Sequence, residues 1–269
     1  VPTADVGDIA VYYEQGGQGE RLLFISGTGS DLRRKPTFLD SPMAGQFSML
    51  GYDQRGLGQS TIPDGPYSMA QYADDAAGLL DAVGWGACLV VGVSFGGMVA
   101  QELAIRHGER VQKLVLACTS PGGAGGSSYP LHLLPELAME ERLARQISIM
   151  DTRWDAEWQE AHSAQVDMFR TMLEDNPMTK DPEGDAARGA MLQLEARSHH
   201  DAWDRLSGID CPTLVCGGTF DGVASPENSE HLAERIPKAE LAMFEGGHMF
   251  LVQDPTAFGR ITEFLQGAS

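Results

Sequence analysis

Cys88-Leu89-Val90-Val91-Gly92-Val93-Ser94-Phe95-Gly96-Gly97-Met98-Val99-Ala100 reads as a strand, a tight turn and a helix in immediate succession. The opening run is short, apolar and β-branched, as a buried strand is. From Met98 to Ala104 the composition is that of a helix with one apolar face. Between them stands a serine with glycines two residues away on either side. A G-x-S-x-G turn in this setting is a nucleophile elbow. It holds Ser94 in an unfavourable backbone conformation. Gly92 and Gly96 are needed because a side chain at either position would strike the neighbouring strand or helix. The hydroxyl then stands at a helix N-terminus, where unpaired N–H groups and the positive dipole end favour a developing negative charge. A plain Gly/Ser turn gives the same bare pattern. The strand before, the helix after and the extra Gly97 distinguish this one.

Outward from the elbow the chain alternates between strand and helix. Strands are expected at 3–6 and 9–14, a hairpin turning at Gly7-Asp8. Further strands fall at 22–25, 47–52, 88–93 and 114–118, and, late in the chain, at 213–216 and 240–244. A helix starts after Ser68 as N-cap, carries Tyr72, Ala76, Leu79, Leu80 and Val83 on its apolar face, and ends at Gly84. The helix after Ser94 runs to about His107, with Gly108 as its C-cap. A short helix is expected over 38–45. Two more are expected over 226–236 and 255–265. Apolar strands alternating with helices predict an α/β fold: a mostly parallel eight-stranded sheet with helices on both faces.

The rhythm breaks at Pro121-Gly122-Gly123-Ala124-Gly125-Gly126 and returns only near residue 206. The intervening stretch has no buried-strand run, and its Trp and Met residues fall at irregular helical spacings. It is too long for a plain loop. The expected division is a core domain of residues 1–126 and 206–269, with 127–205 as an all-helical cap, broken near Pro177, Pro182 and Gly184. Such a cap would cover the C-terminal edge of the strands, where open α/β sheets bind ligands.

Composition narrows the function. The 269 residues carry a net charge of −19, which disfavours nucleic acid and anionic membranes as partners. No charged segment followed by an apolar run opens the chain, and no apolar run is long enough to span a membrane. The four cysteines (Cys88, Cys118, Cys211 and Cys216) lie in or beside expected core strands and are not spaced as a metal site. They read as reduced core residues of a cytoplasmic protein.

A serine hydroxyl needs a base within reach and a carboxylate to orient that base. Two strand ends supply them: Gly217-Gly218-Thr219-Phe220-Asp221 and Glu245-Gly246-Gly247-His248. Ser94, Asp221 and His248 thus leave three strands at one sheet edge, in the order Ser, acid, His. Glu245 is the alternative acid, ranked lower because it follows the same strand as His248. Oxyanion donors are expected from the N–H of Phe95 and of Thr28, with Gly27 and Gly29 allowing close approach of substrate.

Taken together, Ser26-Gly27-Thr28-Gly29, Asp53-Gln54-Arg55-Gly56-Leu57-Gly58-Gln59-Ser60, Gly92 to Gly97, Asp221 and Gly247-His248 resemble the motifs of the α/β-hydrolases over nearly the whole chain. The second piece is similar to the D-x-R-G-x-G-x-S motif of that family, a structural turn. Many relatives carry His-Gly where this chain has Ser26-Gly27. Core motifs are similar to the esterase branch and to 3-oxoadipate enol-lactonases. The resemblance implies a Ser-His-Asp serine hydrolase of a small-molecule ester or lactone, acting through an acyl-enzyme without metal or organic cofactor. Alternatives on the same triad are a thioesterase, a C–C bond hydrolase and a cofactor-free perhydrolase. Outside enzymes, the alternative is a small-molecule receptor on a hydrolase scaffold. Arg33, His132 and Met249 are candidate substrate contacts. Arg33 would fork onto a substrate carboxylate, unless it is a solvated arginine paired with Asp31 or Asp40. Homo-oligomerisation is left open.

Overall fold

The computed structural model describes residues 2–267. Its strands are β1 (Thr3–Val6), β2 (Ile9–Gly16), β3 (Glu20–Ile25), β4 (Phe47–Tyr52), β5 (Cys88–Val93), β6 (Val111–Ala117), β7 (Thr213–Gly218) and β8 (Ala239–Phe244). They form one eight-stranded sheet in the order β1-β2-β4-β3-β5-β6-β7-β8. β2 runs antiparallel to β1 and β4, and the remaining pairs are parallel. The sequence expectation of a mostly parallel α/β sheet holds.

The sheet is buried on both faces because its central strands alternate apolar residues to either side. Leu23, Val90 and Leu114 pack on one face with α1 (Met69–Ala82), α2 (Phe95–Arg106) and α8 (Pro226–Arg235). Leu22, Leu89, Val91 and Val115 pack on the other, against α10 (Ala257–Gln266) and Phe250 of α9 (Phe250–Gln253). Each fully buried aliphatic side chain contributes roughly 1.5–3 kcal/mol.

Local signals place the helices. Ser68 caps α1 through a reciprocal box: its Oγ accepts the Gln71 N–H at 3.2 Å, and Gln71 Oε1 accepts the Ser68 N–H at 2.9 Å. Gly84, at φ +68°, turns the chain after α1. Gly108 does not play the C-capping part expected of it. α2 ends at Arg106 with His107 as cap, and Gly108 opens a short 3-10 turn without a left-handed φ. The single helix expected over 38–45 is two 3-10 turns, Phe38–Asp40 and Pro42–Gly45, separated by Ser41 in extended conformation. Pro42 is the reason, since it forces the preceding residue out of helical geometry.

Between β6 and β7 the described residues form helices and turns, with one isolated bridge between Gly122 and Asp201. The helices are α3 (Met139–Met150), α4 (Ala156–Ala161), α5 (Ser163–Glu174), α6 (Pro177–Lys180) and α7 (Asp185–Ser198). Pro177 stands in the first turn of α6 and Gly184 caps α7. These helices have a small core of their own, Leu143, Ile147, Phe169 and Leu173, with Trp154 stacked on Trp158 at 4.8 Å.

Candidate active site

The turn between β5 and α2 adopts φ +55° and ψ −116° at Ser94. A non-glycine residue there stores on the order of 1–3 kcal/mol of strain. Backbone bonds on both sides hold it. The Ser94 N–H donates to Ala117 O at 2.8 Å, and Ser94 O accepts from Gly97 N–H (2.9 Å) and Thr119 Oγ1 (2.8 Å). The glycines behave as expected from steric reasoning. A Cβ on Gly92 would lie 2.4 Å from Gly96 O, and one on Gly96 would lie 2.0 Å from Ile25 O.

Asp221 follows β7 and His248 follows β8, at the same edge of the sheet as Ser94. His248 Nε2 lies 2.9 Å from Ser94 Oγ, and His248 Nδ1 lies 2.8 Å from Asp221 Oδ2. The carboxylate accepts at Nδ1, so Nδ1 carries the proton and Nε2 is the acceptor for the serine O–H. The other carboxylate oxygen, Oδ1, accepts the backbone N–H groups of Val223 (2.8 Å) and Ala224 (2.9 Å). Asp221 is buried, so both its oxygens are satisfied without solvent. Glu245 is turned outward, with its carboxylate 3.5 Å from Arg153 and its side chain mostly exposed.

The loop after β3 faces this constellation. A Cβ on Gly27 would stand 3.4 Å from Ser94 Cβ. Among the described residues, the amides of Thr28 and Phe95 donate to no protein group. They are therefore free for an oxyanion. The Phe95 ring points the other way, into the core, edge-on to Tyr72 at 5.0 Å. Gly29 takes a left-handed φ of +69°, and its N–H donates to Gln193 Oε1 of α7 at 2.9 Å. The Asp53–Ser60 motif anchors this loop from below. Asp53 Oδ1 accepts the Leu32 N–H at 2.8 Å, and Gln54 Nε2 donates to Ser26 O at 2.8 Å. Arg55 forks between buried Asp75 and exposed Asp8, which fixes the motif as structural.

The three candidate substrate contacts divide. Met249 is half-buried and packs against the small core of the inserted helices, beside His248. His132 lines a cavity together with Arg197 and His200. Arg33 is not brought to the site. Its side chain is 60% exposed and forks onto Asp31 at 2.6–3.1 Å. The reason is proximity in the chain: Asp31 satisfies the guanidinium two residues away.

Sequence reading missed the clamp around His248 and Asp221. The end of α3 hydrogen bonds to both loops: Met150 O accepts the His248 N–H at 2.6 Å, and Ile149 O accepts the Gly222 N–H at 3.0 Å. Thr152 N–H donates to Phe220 O at 2.9 Å. Buried Asp151 accepts from Gln253 Nε2 at 3.0 Å and forks with Arg153. Burial pulls the Asp151 carboxyl up, but the hydrogen bonds from Arg153 and Gln253 outweigh it and hold it below the ordinary value. Nothing in residues 149–152 marks them in the sequence, because their direct bonds to the two loops are made by backbone groups. Gln193 and Arg197 were also missed; a Gln and an Arg four apart on a helix face otherwise made of Gly189, Ala190 and Leu194 are the one available signal. No group of three or more ligating side chains that could hold a metal occurs among the described residues. No helix among them is long and apolar enough to cross a membrane.

A family profile described as alpha/beta hydrolase fold matches residues 10–255. The chain is 28% identical to 3-oxoadipate enol-lactonase 2 of Acinetobacter baylyi, covering 95% of this chain and 92% of that protein. It is 30% identical to the 2-hydroxymuconate semialdehyde hydrolase of Pseudomonas putida, covering 92% and 87%. It also superposes on the crystal structure of the enol-lactonase from Burkholderia xenovorans. There the TM-score is 0.80 and the identity 25%, covering 99% of this chain and 100% of that one. The chain belongs to the alpha/beta hydrolase fold family.

Proposed function

We propose that this member of the alpha/beta hydrolase family is a serine hydrolase of a small-molecule carboxylic ester or lactone. The observation that carries the reading is His248, which lies within hydrogen-bond distance of Ser94 Oγ on one side and Asp221 on the other. In this reading Ser94 Oγ attacks the carbonyl carbon while its proton passes to His248 Nε2. Asp221 holds the imidazole in the required tautomer and stabilises the imidazolium. The tetrahedral oxygen accepts from the Phe95 and Thr28 N–H groups. Collapse returns the proton from His248 to the leaving oxygen and leaves an acyl group on Ser94. Water deprotonated by His248 then releases the acid. Residues 127–205 act as the cap over the core of 1–126 and 206–269. Two of the relatives are enol-lactonases, which favours a lactone or enol ester as substrate. Free cysteines at all four positions favour the cytoplasm.

A second reading keeps the same three residues and changes the bond cleaved. The 30% identity to a 2-hydroxymuconate semialdehyde hydrolase favours a C–C hydrolase as that alternative. Hydrolysis of p-nitrophenyl esters of increasing acyl length, by the parent and by Ser94→Ala, separates the readings. Turnover by the parent that falls by at least about 10⁴-fold in the variant is the expected result. No turnover by the parent on any ester or lactone moves the weight to the C–C hydrolase or to a receptor. Equal turnover by both proteins removes the role given to Ser94.

A further inference from the structure

One helical turn from Ser94, Met98 lines a cavity of about 110 Å3, together with Ser120, Tyr129, His132, Arg197 and His200. One water needs roughly 10–15 Å3 on this scale, so the cavity has room for a carboxylate and a few carbon atoms. Ser94, Asp221 and His248 do not line it, but two of its lining residues are tied to their loops. Thr119, next to Ser120, donates to Ser94 O, and Tyr129 N–H donates to Val223 O beside Asp221.

The guanidinium of Arg197 is what makes this cavity a site. Arg197 is 5% exposed, and it pairs with no carboxylate among the described residues. Its Nη1 donates to Tyr129 O at 2.9 Å, and its Nε has no partner. Of the other two buried arginines, Arg55 is flanked by two carboxylates, whereas Arg142, away from this cavity, bonds only to Thr179 Oγ1. The one carboxylate that acts on Arg197, Asp221, does so from a distance without contact, and a buried cation with no contacting counter-charge is relieved by an anion. Burial lowers the Arg197 guanidinium to about 10, so it stays charged at neutral pH. Two more buried polar side chains of the same lining lack partners: the Ser120 hydroxyl and the His200 imidazole, at both ring nitrogens. Burial drives His200 down to about 4, so at neutral pH it is uncharged and offers one N–H.

We propose that this cavity is a carboxylate-binding subsite. Arg197 supplies the charge, and Ser120 and His200 supply further hydrogen bonds. The subsite holds the free carboxylate of an acidic ester whose carbonyl carbon lies at Ser94. The substrate part of this assignment rests on the serine hydrolase reading above; the anion site does not. Arg197 thereby takes the part that the sequence offered to Arg33.

Two arms test it with the full chain. In the first, thermal melts of Ser94→Ala are taken in sodium butyrate and in sodium chloride at equal ionic strength. Butyrate raises Tm by about 2–4 °C, and the rise disappears when Arg197→Gln is added. Ser120→Ala, which leaves the guanidinium in place, weakens butyrate binding by about 3- to 10-fold. It keeps the test decisive if the Arg197 variant does not fold. In the second arm, kcat/KM is measured for the mono-p-nitrophenyl ester of glutaric acid and for p-nitrophenyl butyrate. The ratio of the two falls by about 10- to 100-fold in Arg197→Gln. A butyrate shift that needs Arg197, with an unchanged ester ratio, assigns the site to a free carboxylate in place of substrate. An equal butyrate shift with and without Arg197 overturns the subsite. A parent that hydrolyses neither ester but keeps the Arg197-dependent shift overturns the hydrolase reading and leaves the anion site standing.

Discussion

Ser94 and His248 sit 2.9 Å apart but are held in place by different means. The elbow that carries Ser94 is fixed by its own neighbours. Gly92, Gly96 and Gly97 are spaces that β3, α2 and Thr119 fill, and no other residue type fits. The loops that carry Asp221 and His248 bond to each other, Phe220 N–H to Gly246 O at 2.8 Å, and are also braced from outside by carbonyls and a carboxylate at the end of α3. The Ser94 turn is thus built by the core, whereas the placing of Asp221 and His248 also depends on the docking of the helices between β6 and β7. Loosening that segment should therefore cost catalysis before it costs folding.

The largest effect tests the elbow side. Gly96→Ala places a Cβ 2.0 Å from the backbone oxygen of Ile25, the last residue of β3. It is expected to lose about 3 kcal/mol or more, and far-UV circular dichroism melts should show little or no folded protein. A stable, folded Gly96→Ala would break the contrast at its first half.

Next comes the acid. Asp221→Asn keeps the shape but presents the wrong hydrogen-bonding group to His248 Nδ1. The kcat on a p-nitrophenyl ester is expected to fall by about 10³- to 10⁴-fold, with Tm changed far less than in Gly96→Ala. Wild-type turnover in this variant would return Glu245 to consideration.

The clamp should give a smaller, selective effect. Gly247→Ala would push a Cβ to 2.0 Å from Met150 O, between the His248 loop and α3. A shift of about 1 Å in His248 costs on the order of 10- to 100-fold in kcat. Circular dichroism should remain native. If this variant unfolds as completely as Gly96→Ala, the two halves of the site are held in the same way after all.

A pH titration of stability probes the residues beside the site. Burial lowers His200 to about 4 from an ordinary 6.5, with Glu102, Asp201 and Arg205 as the charges acting on it. Between these values the unfolded chain binds a proton that the native protein does not. Stability therefore falls as pH drops from about 6.5 towards 4, by up to about 1.4 kcal/mol per pH unit. Chemical denaturation across this range should show a shallower slope in His200→Gln. Smallest of all is Arg33→Ala. Its guanidinium is exposed and bound to Asp31, so stability should change by less than about 0.5 kcal/mol and kcat/KM by less than about 2-fold.

Much of this was legible in the chain itself. The elbow glycines, the Ser68 cap on α1 and the strand runs obey rules that act over a few residues, and each is found where those rules place it. Asp221 and His248 were readable because loops at strand ends collect at one edge of a parallel sheet. Gly108 was misread because a glycine after a helix is only permitted, not obliged, to turn left-handed, and His107 ended α2 first. Arg33 reads as a substrate contact because it follows the oxyanion loop, and the alternative weighed with it, pairing with Asp31, is the one found.

By itself, then, the sequence determined the parallel sheet, the strained turn at Ser94 and the identities of the residues that meet there. Those follow from steric rules and apolar periodicity, which are properties of adjacent residues. Only the tertiary structure decided which carbonyls hold His248, that Gln193 binds the Gly29 amide, and that Arg197 is buried without a carboxylate in contact among the described residues. These depend on how a helical segment docks on a distant sheet edge. Docking is a sum of many weak contacts between residues far apart in the chain, and no short stretch of sequence carries that sum.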